Sequence, residues 1–538
     1  MTGSTESQAL LSQQPPFTSS NTTIDPLTTT AQQLQAYLNA GTVTTQELVD
    51  VYLSQIEKHN KDGLKLNAIL QTAPYNLISQ YAKSLDAERA AGKARGPLHG
   101  IPIIIKDNIM TDWKLGMDTT CGSYALRGAK APNAPVIDKI LSAGMVIIAK
   151  ASLSEWAATK GFGLTTGWSA LGGQVQTPYV KGGFKTGDLG LGHSTPCGSS
   201  SGSAVGVAAG FAPLTVATET DGSVTQPAGR AALFALKVTV GSVNTSRTSP
   251  TSPFTDSLGG MAKSAGDLAL LATVLTEQDY SSFLTGSWHG QRIAAVDPKL
   301  WNLHPVVCEY VESVKLQQDL DFHSAIETIR KSGGVVIEDV VLPQVADLLW
   351  EGEDALEFIW GKDLKSNLES FLAEYEDAEV RTVEELVQFN KDHADVELPP
   401  GRGSNKAEAD DVLAYPGQQQ LENALENPTS EATKELAMAA TRKAAKDNGF
   451  DRIFAETDTD LLMGPLDGRV VTVAAAAGYP CGVVPLGYAD NYNGRPYGAV
   501  FVGRAGSEGR ILQAMSAWEA TMPARRPPPL LVGFKSAL

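Results

Sequence analysis

Two serine-bearing stretches and two lysines carry most of the chemistry this sequence could perform. In "ATETDGSVTQPA", residues 217–228, an apolar run climbs into small polar residues around Gly222 and Ser223. This is the pattern of a strand delivering a serine onto a tight turn. A serine displayed in this way can be a nucleophile, but only with a base in reach. A second run, "GSSSG" at residues 198–202, formally matches G-x-S-x-G with Ser200 at its centre. That elbow needs a strand running directly into it, and "GFKTGDLGLGHSTPC" is glycine-rich loop sequence instead. The seven histidines stand at 59, 99, 193, 289, 304, 323 and 393, none in a recognisable catalytic setting. His193 is near the serines and is expected to be an exposed loop residue.

Metal and phosphate chemistry find no support. There is no HExxH and no paired His/Asp set at ligand spacing, so no metal is expected. "GFGLTTG" lacks both the Lys-Ser/Thr of a P-loop and the GxGxxG spacing, and no cofactor is expected. That leaves lysine as the base. A lysine serves only if burial lowers its pKa by several units, because the ammonium has no lone pair. Lys106 ends "IPIIIK" and Lys150 ends "MVIIAK"; on local evidence the two are equal rivals. The commoner state of a strand-end lysine is a solvated charge, or one paired with a carboxylate such as Asp107. For residues 199–203 the plain alternative is a helix-capping serine run, and for Ser223 a turn serine beside Gly222.

The elements that must position these groups read as α/β. "AQQLQAYLNAG" and "TVTTQELVDVYLSQIEKHN" predict two helices, the second with Thr44 and Glu47 at capping-box spacing. "GIPIIIKDN", "PVIDKILSAG" and "MVIIAKAS" predict a strand–helix–strand unit with buried parallel strands. Ligands of open α/β sheets gather at the carboxyl ends of strands, where both lysines stand. A small-residue segment, 202–211, predicts a helix of about 15 Å at 1.5 Å per residue. The apolar run 214–218 predicts a strand of about 16 Å returning from it at 3.3 Å per residue. The loop at Ser199 and the turn at Ser223 can therefore finish at one edge. Residues 280–450 read as charged and mostly helical, with "NKDHADVELPPGRGSNKAEADD" a loop-like insertion, and the end returns to α/β texture. Residues 1–27 read as a disordered arm rich in Ser, Thr, Gln and Pro.

Composition bounds the class. The chain has 538 residues, 42% hydrophobic and 19% charged, with a net charge of -17. That acidity argues against nucleic-acid and anionic-membrane partners. Cys121, Cys197, Cys308 and Cys481 are scattered without CxxC spacing, so no disulfide framework is expected. The N-terminal stretch lacks the basic start and apolar core of a signal peptide, and no run reaches the length of a membrane helix. The sequons at Asn21 and Asn244 and the terminal "SAL" are discounted. A cytoplasmic protein is the expectation.

Together, "PLHGIPIIIKDNI", "PCGSSSGSAVGVAAG", "ATETDGSVTQPA" and "AGYPCGVVPLG...GAVFVGRAGSEGRILQAMSAWE" resemble the amidase signature family in its motifs and their order. "TETDGS", "TGWSALGGQVQTPY" and "VRTVEELVQFNKDHADVEL" resemble its peptide-amidase-like branch, and the extra residues around "KGGFKTGDLGLGH" its fungal-type members. The resemblance implies a large mixed twisted β-sheet covered by helices on both faces. It also implies one amidase domain over 28–538, with a core at 60–275 and 450–520 and a variable substrate-side region at about 280–450.

The family's lysine falls on Lys106, its bridging serine on Ser199 and its nucleophile on Ser223. Ser199 and Ser223 stand 24 residues apart, the family's spacing. The resemblance implies a cis peptide before Ser199 and an oxyanion hole from the backbone N–H groups of Thr220, Asp221, Gly222 and Ser223. Gly173 and Gln174 are candidate substrate-lining residues. Glu219 stands where an aspartate is usual and Thr225 where an arginine is, so the family's ion pair cannot form in its usual shape. The implied reaction is hydrolysis of a small-molecule or peptide amide by a monomer or homodimer. The alternatives are ester or carbamate hydrolysis, the role of an amidotransferase component, and a non-catalytic binding protein.

Overall fold

The apolar runs become the strands of one eleven-stranded mixed sheet. The computed structural model describes residues 24–161, 165–185, 187–188, 190–399, 417–426 and 430–532. In chain order the strands are β1 (Ile69–Thr72), β2 (Pro102–Lys106), β3 (Val146–Ala151), β4 (Leu214–Glu219), β5 (Phe234–Lys237) and β6 (Ser257–Ala262). They continue with β7 (Arg292–Ala295), β8 (Val335–Ile337), β9 (Leu461–Pro465), β10 (Cys481–Tyr488) and β11 (Pro496–Gly503). Across the sheet the order is β1-β3-β2-β4-β6-β5-β10-β11-β9-β7-β8. The β3-β2-β4 and β9-β7-β8 groups are parallel and the remaining pairs antiparallel.

Successive residues of a strand face opposite sides, and here they fill two different cores. Phe234, Leu236, Ile293, Leu461, Met463 and Phe501 join Leu268, Leu271, Ile511 and Trp518 of helices Ala265–Thr276 and Glu508–Thr521. Ala235, Ala294, Leu462, Val500 and Val502 join Val470, Val473 and Ala474 of helix Val470–Ala477 on the other face. Both faces are therefore covered, as expected. The predicted strand–helix–strand unit forms as β2, helix Pro135–Ser142 and β3, with β2 and β3 parallel. Ile103, Ile104 and Ile105 are fully buried, as strands covered on both faces require.

Helix Thr45–His59 starts with the expected box: Glu47 N–H donates to Thr44 Oγ1 at 3.1 Å and Thr44 N–H to Glu47 Oε2 at 2.8 Å. The small-residue helix spans Ser201–Ala208, and all eight residues are buried. A Cβ on Gly202 would lie 2.3 Å from the Ala68 carbonyl oxygen, so only glycine fits that crossing.

Three readings change. His193 is buried, 6% exposed, because Arg495 Nε donates to its Nδ1 at 2.8 Å and its Nε2 lies 2.8 Å from the Glu309 carbonyl oxygen. The start of the "NKDHADVELPP" segment is helical, in Val383–Asp392 and Ala394–Glu397, and Glu397 is fully buried; residues 400–411 of the segment lie outside the described residues. Of the N-terminal arm, residues 1–23 lie outside the described ones, while Ile24 and Leu27 are buried in the core. The four cysteines are free and buried. Among the described residues no helix is long and apolar enough to cross a membrane.

Candidate active site

Lys106 is the last residue of β2 and is fully buried. Its Nζ lies 2.8 Å from Ser199 Oγ, 3.0 Å from Thr218 Oγ1 and 3.2 Å from the Thr218 carbonyl oxygen. Among the described residues no carboxylate pairs with it. Burial drives its pKa from the ordinary 10.5 to about 7, against the more distant pull of Glu219, Cys121 and Asp256. A neutral amine has two N–H donors and one lone pair. The two Thr218 oxygens can take the donors, which leaves the lone pair for the Ser199 hydroxyl proton.

Lys150 is equally buried but lies on the opposite side of the sheet. Ile105 is in register with Lys150 and Lys106 with Ala151, so the two lysines project from opposite faces. Lys150 Nζ donates to the Ile109 carbonyl at 2.6 Å and to Thr119 Oγ1 at 2.8 Å, with Asp107 Oδ1 at 3.8 Å. Burial lowers its pKa to about 8, while burial raises that of Asp107 to about 6. The plain structural role weighed for a strand-end lysine belongs to Lys150.

The two serines meet at one edge. Helix Ser201–Ala208 leads away from Ser199, β4 returns, and Ser200 N–H donates to the Ser223 carbonyl at 3.1 Å. The Gly198–Ser199 peptide is cis, as the resemblance implies. Ser154 N–H donates to the Ser199 carbonyl at 2.9 Å and holds the loop from outside. Among the described residues the Ser199 hydroxyl donates to no other acceptor and Ser223 Oγ makes no hydrogen bond.

The turn after β4 divides its N–H groups sharply. Val224 and Thr225 N–H each donate to Glu219 Oε2 at 2.8 Å, and Thr225 Oγ1 adds a bond of 2.9 Å. These bonds take the place of the family's carboxylate–arginine pair. Among the described residues the N–H groups of Thr220, Asp221, Gly222 and Ser223 donate to no protein acceptor. Gly222 has φ +74, a left-handed conformation that glycine adopts without penalty. Asp221 turns its carboxylate away to Thr472 Oγ1, which donates at 2.8 Å, and to Arg469 Nη2 at 3.4 Å. It thereby fastens the turn to the start of helix Val470–Ala477. Thr220 Oγ1 donates to Asp256 Oδ1 at 2.5 Å and anchors the turn's other end.

Ser223 opens into a cavity of about 420 Å³. One wall is Ala157, Ala158 and Thr159; the others come from helix Ala355–Leu372, with Phe358 and Trp360, and from Gln420, Asn423 and Ala424. The alanine wall is a left-handed turn, with φ 56 at Ala157 and 74 at Ala158. It is braced by the buried Lys160, which bonds Glu155 and, at 2.9 Å, Glu397 Oε2. Gly173 and Gln174 do not line this cavity. They form a two-stranded hairpin with Trp168 and Ser169, where Gln174 Nε2 donates to the Thr166 carbonyl at 2.9 Å. Sequence reasoning misses Thr218, the aromatic wall, and Asn108, whose Nδ2 donates to Thr218 Oγ1 at 2.9 Å. Thr218 alone carries a signal, lying one step before the end of the strand that presents Ser223.

The family model described as Amidase matches residues 47–512. The chain is 29% identical to a protein of Arabidopsis thaliana named "Probable amidase", over 93% of this chain and 91% of that one. It is 34% identical to a glutamyl-tRNA(Gln) amidotransferase chain of Chloroflexus aurantiacus, over only 60% of this chain and 62% of that one. The X-ray structure of native peptide amidase from Stenotrophomonas maltophilia superposes with a TM-score of 0.80 at 31% identity, covering 93% of this chain and 98% of that one. The chain thus belongs to the amidase signature family of carbon–nitrogen hydrolases.

Proposed function

We propose that this amide hydrolase works through Lys106, Ser199 and Ser223 and an acyl-enzyme on Ser223. Neutral Lys106 takes the Ser199 proton as Ser199 takes that of Ser223, and Ser223 Oγ bonds to the substrate carbonyl carbon. The carbonyl oxygen becomes an oxyanion held by the uncommitted N–H groups of residues 220–223. As the intermediate collapses, the C–N bond breaks and the relay returns the proton to the leaving nitrogen. Water, deprotonated by the same relay, then releases the acid and restores Ser223. The substrate is a small-molecule or peptide amide. Residues 28–538 act as one amidase domain, with the region after residue 280 supplying the cavity's variable wall.

The observation that carries this reading is a fully buried lysine 2.8 Å from a serine hydroxyl and, among the described residues, without a carboxylate partner. Matched amide, ester and carbamate substrates test it. The account expects amide turnover by the wild type and a loss of at least about 10³-fold in Ser223→Ala and Lys106→Ala. Turnover of the ester or carbamate alone would favour those alternatives. Full activity of the purified chain by itself excludes the role of an amidotransferase component, and amide turnover excludes a purely binding role.

A further inference from the structure

One wall of the cavity in front of Ser223 is made of backbone that side-chain-bearing residues seldom adopt. Trp156, Ala157 and Ala158 have φ of 52, 56 and 74, three successive left-handed residues without a glycine. L residues enter that region singly, because Cβ crowds the following carbonyl oxygen, so a run of three relaxes unless something holds it. Ala157 and Ala158 line the cavity with Ser223, and the Trp156 side chain is fully buried.

What holds the turn is a cluster of one lysine and two carboxylates, all 0% exposed. Glu155 stands just before the turn and Lys160 just after it, and Glu397 comes from the insertion. Lys160 Nζ bonds Glu155, the Glu397 Oε2 at 2.9 Å and the Glu397 carbonyl oxygen at 2.7 Å. Each carboxylate is also fixed from outside the turn. Ala170 N–H donates to Glu155 Oε2 at 2.6 Å, while Ser123 Oγ and Tyr124 N–H donate to Glu397 Oε1 at 2.8 and 2.7 Å. Burial pushes the Glu155 carboxyl well above the ordinary range, against the pull of Lys160 and with Glu397 adding to it. Glu155 therefore keeps its proton, and Lys160 and Glu397 form the ion pair. The insertion supplies a second wall of the same cavity through Gln420, Asn423 and Ala424 of helix Gln419–Glu426, whose Leu421 N–H lies 3.5 Å from the Lys160 carbonyl oxygen.

We infer that Lys160 is a positioning residue: bonded to Glu155 and Glu397, it keeps the turn at 156–158 left-handed and so holds the Ala157–Ala158 wall against substrate groups that reach beyond the scissile amide. The inference rests on the amide-hydrolase reading above and deepens it, since it assigns the selection for larger amides to a cluster that touches neither substrate nor Ser223. A small amide that does not reach the wall is indifferent to the cluster.

The test is a double-mutant cycle between the cluster and the turn, read with primary amides from acetamide to 5-phenylpentanamide. The cluster is broken by Lys160→Met with Glu397→Gln, which removes one charge of each sign and strands neither. The turn is relieved by Ala157→Gly with Ala158→Gly, because glycine holds a left-handed φ without penalty. Binding is measured on the full chain as Ser223→Ala, and hydrolysis on the chain with Ser223 intact. Breaking the cluster should weaken binding of the amide held tightest by at least about tenfold, the scale of a wall displaced by a fraction of an ångström. In the glycine background the same break should cost about threefold or less. Hydrolysis should follow, with kcat/KM falling about tenfold for that amide and by at most about threefold for acetamide. If the double change fails to fold, Glu397→Gln alone, which leaves Glu155 to pair with Lys160, takes its place with an expected loss of about threefold. A merely structural cluster gives the same loss in both backgrounds and for both amides, and that result overturns the inference. So does a parent chain that binds no larger amide better than acetamide. Turnover with an equal loss for both amides sinks this inference but keeps the hydrolase. The binding cycle as expected, with no amide turned over, supports it and sinks the hydrolase.

Discussion

Replacing Lys106 with methionine should inactivate the enzyme yet make it more stable at neutral pH, by an amount that depends on pH in a defined way. In the unfolded chain the amine titrates at its ordinary 10.5; in the folded protein burial brings it to about 7. The folded pKa is the depressed one, so between these values the unfolded chain binds about one more proton. The wild type therefore gains about 1.4 kcal/mol of stability for each pH unit climbed. The penalty is complete below pH 7, where it reaches about 5 kcal/mol, and vanishes near 10.5. Methionine has no such term and also loses the contacts with Ser199 and Thr218, which shift its stability by a constant. Lys150 and Lys263, whose pKa values burial also lowers, are present in both proteins and cancel in the difference. Denaturant unfolding of both proteins at intervals from pH 8 to 10 is the assay. The variant's advantage should shrink across this window by about 1.4 kcal/mol per pH unit. A difference that stays flat would mean Lys106 is an ordinary ammonium in the folded protein, and its service as a base would fall with it.

For a neutral amide, kcat/KM should rise about tenfold per pH unit at acid pH and level off above about 7, where Lys106 is neutral. A pH-independent rate across that range contradicts the assignment. Lys150→Met leaves Asp107 buried without its cation and should cost about 3 kcal/mol of unfolding free energy, while the acid limb stays at the same pH. Movement of the limb would transfer the base role to the opposite face. Gly222→Ala puts a Cβ 2.9 Å from Gln226 Cγ at φ +74 and should cost about 1–2 kcal/mol. It should lower kcat about tenfold or more without a matching rise in KM, because the turn's N–H groups shift; an unchanged kcat would remove them from the oxyanion hole.

The chemistry of this site was legible in the sequence wherever it depends on local pattern. A short apolar run ending in lysine becomes β2. The small-residue helix and its return strand bring Ser199 and Ser223 to one edge because their lengths match. The choice between Lys106 and Lys150 was not legible from the residues alone, since both end buried parallel strands. It turns on a one-residue register offset between β2 and β3, which only strand pairing or the family motif specifies. His193 misled for a related reason. Its glycine-rich surroundings imply a surface loop, but Arg495, some three hundred residues later, folds over it. The role of Asp221 was equally non-local, since Thr472 and Arg469 lie on a helix near the other end of the chain. The cavity wall of Phe358, Trp360 and Glu357 follows no motif, because that stretch's spacing reports only a helix.

The most direct test of the central claim is peptide mapping after reaction with a fluorophosphonate, which phosphorylates an activated serine. The account predicts one adduct, on Ser223, absent from Ser223→Ala and formed at least about a hundredfold more slowly in Lys106→Ala. An adduct on Ser199 or Ser200, or labelling undiminished in Ser223→Ala, would contradict it.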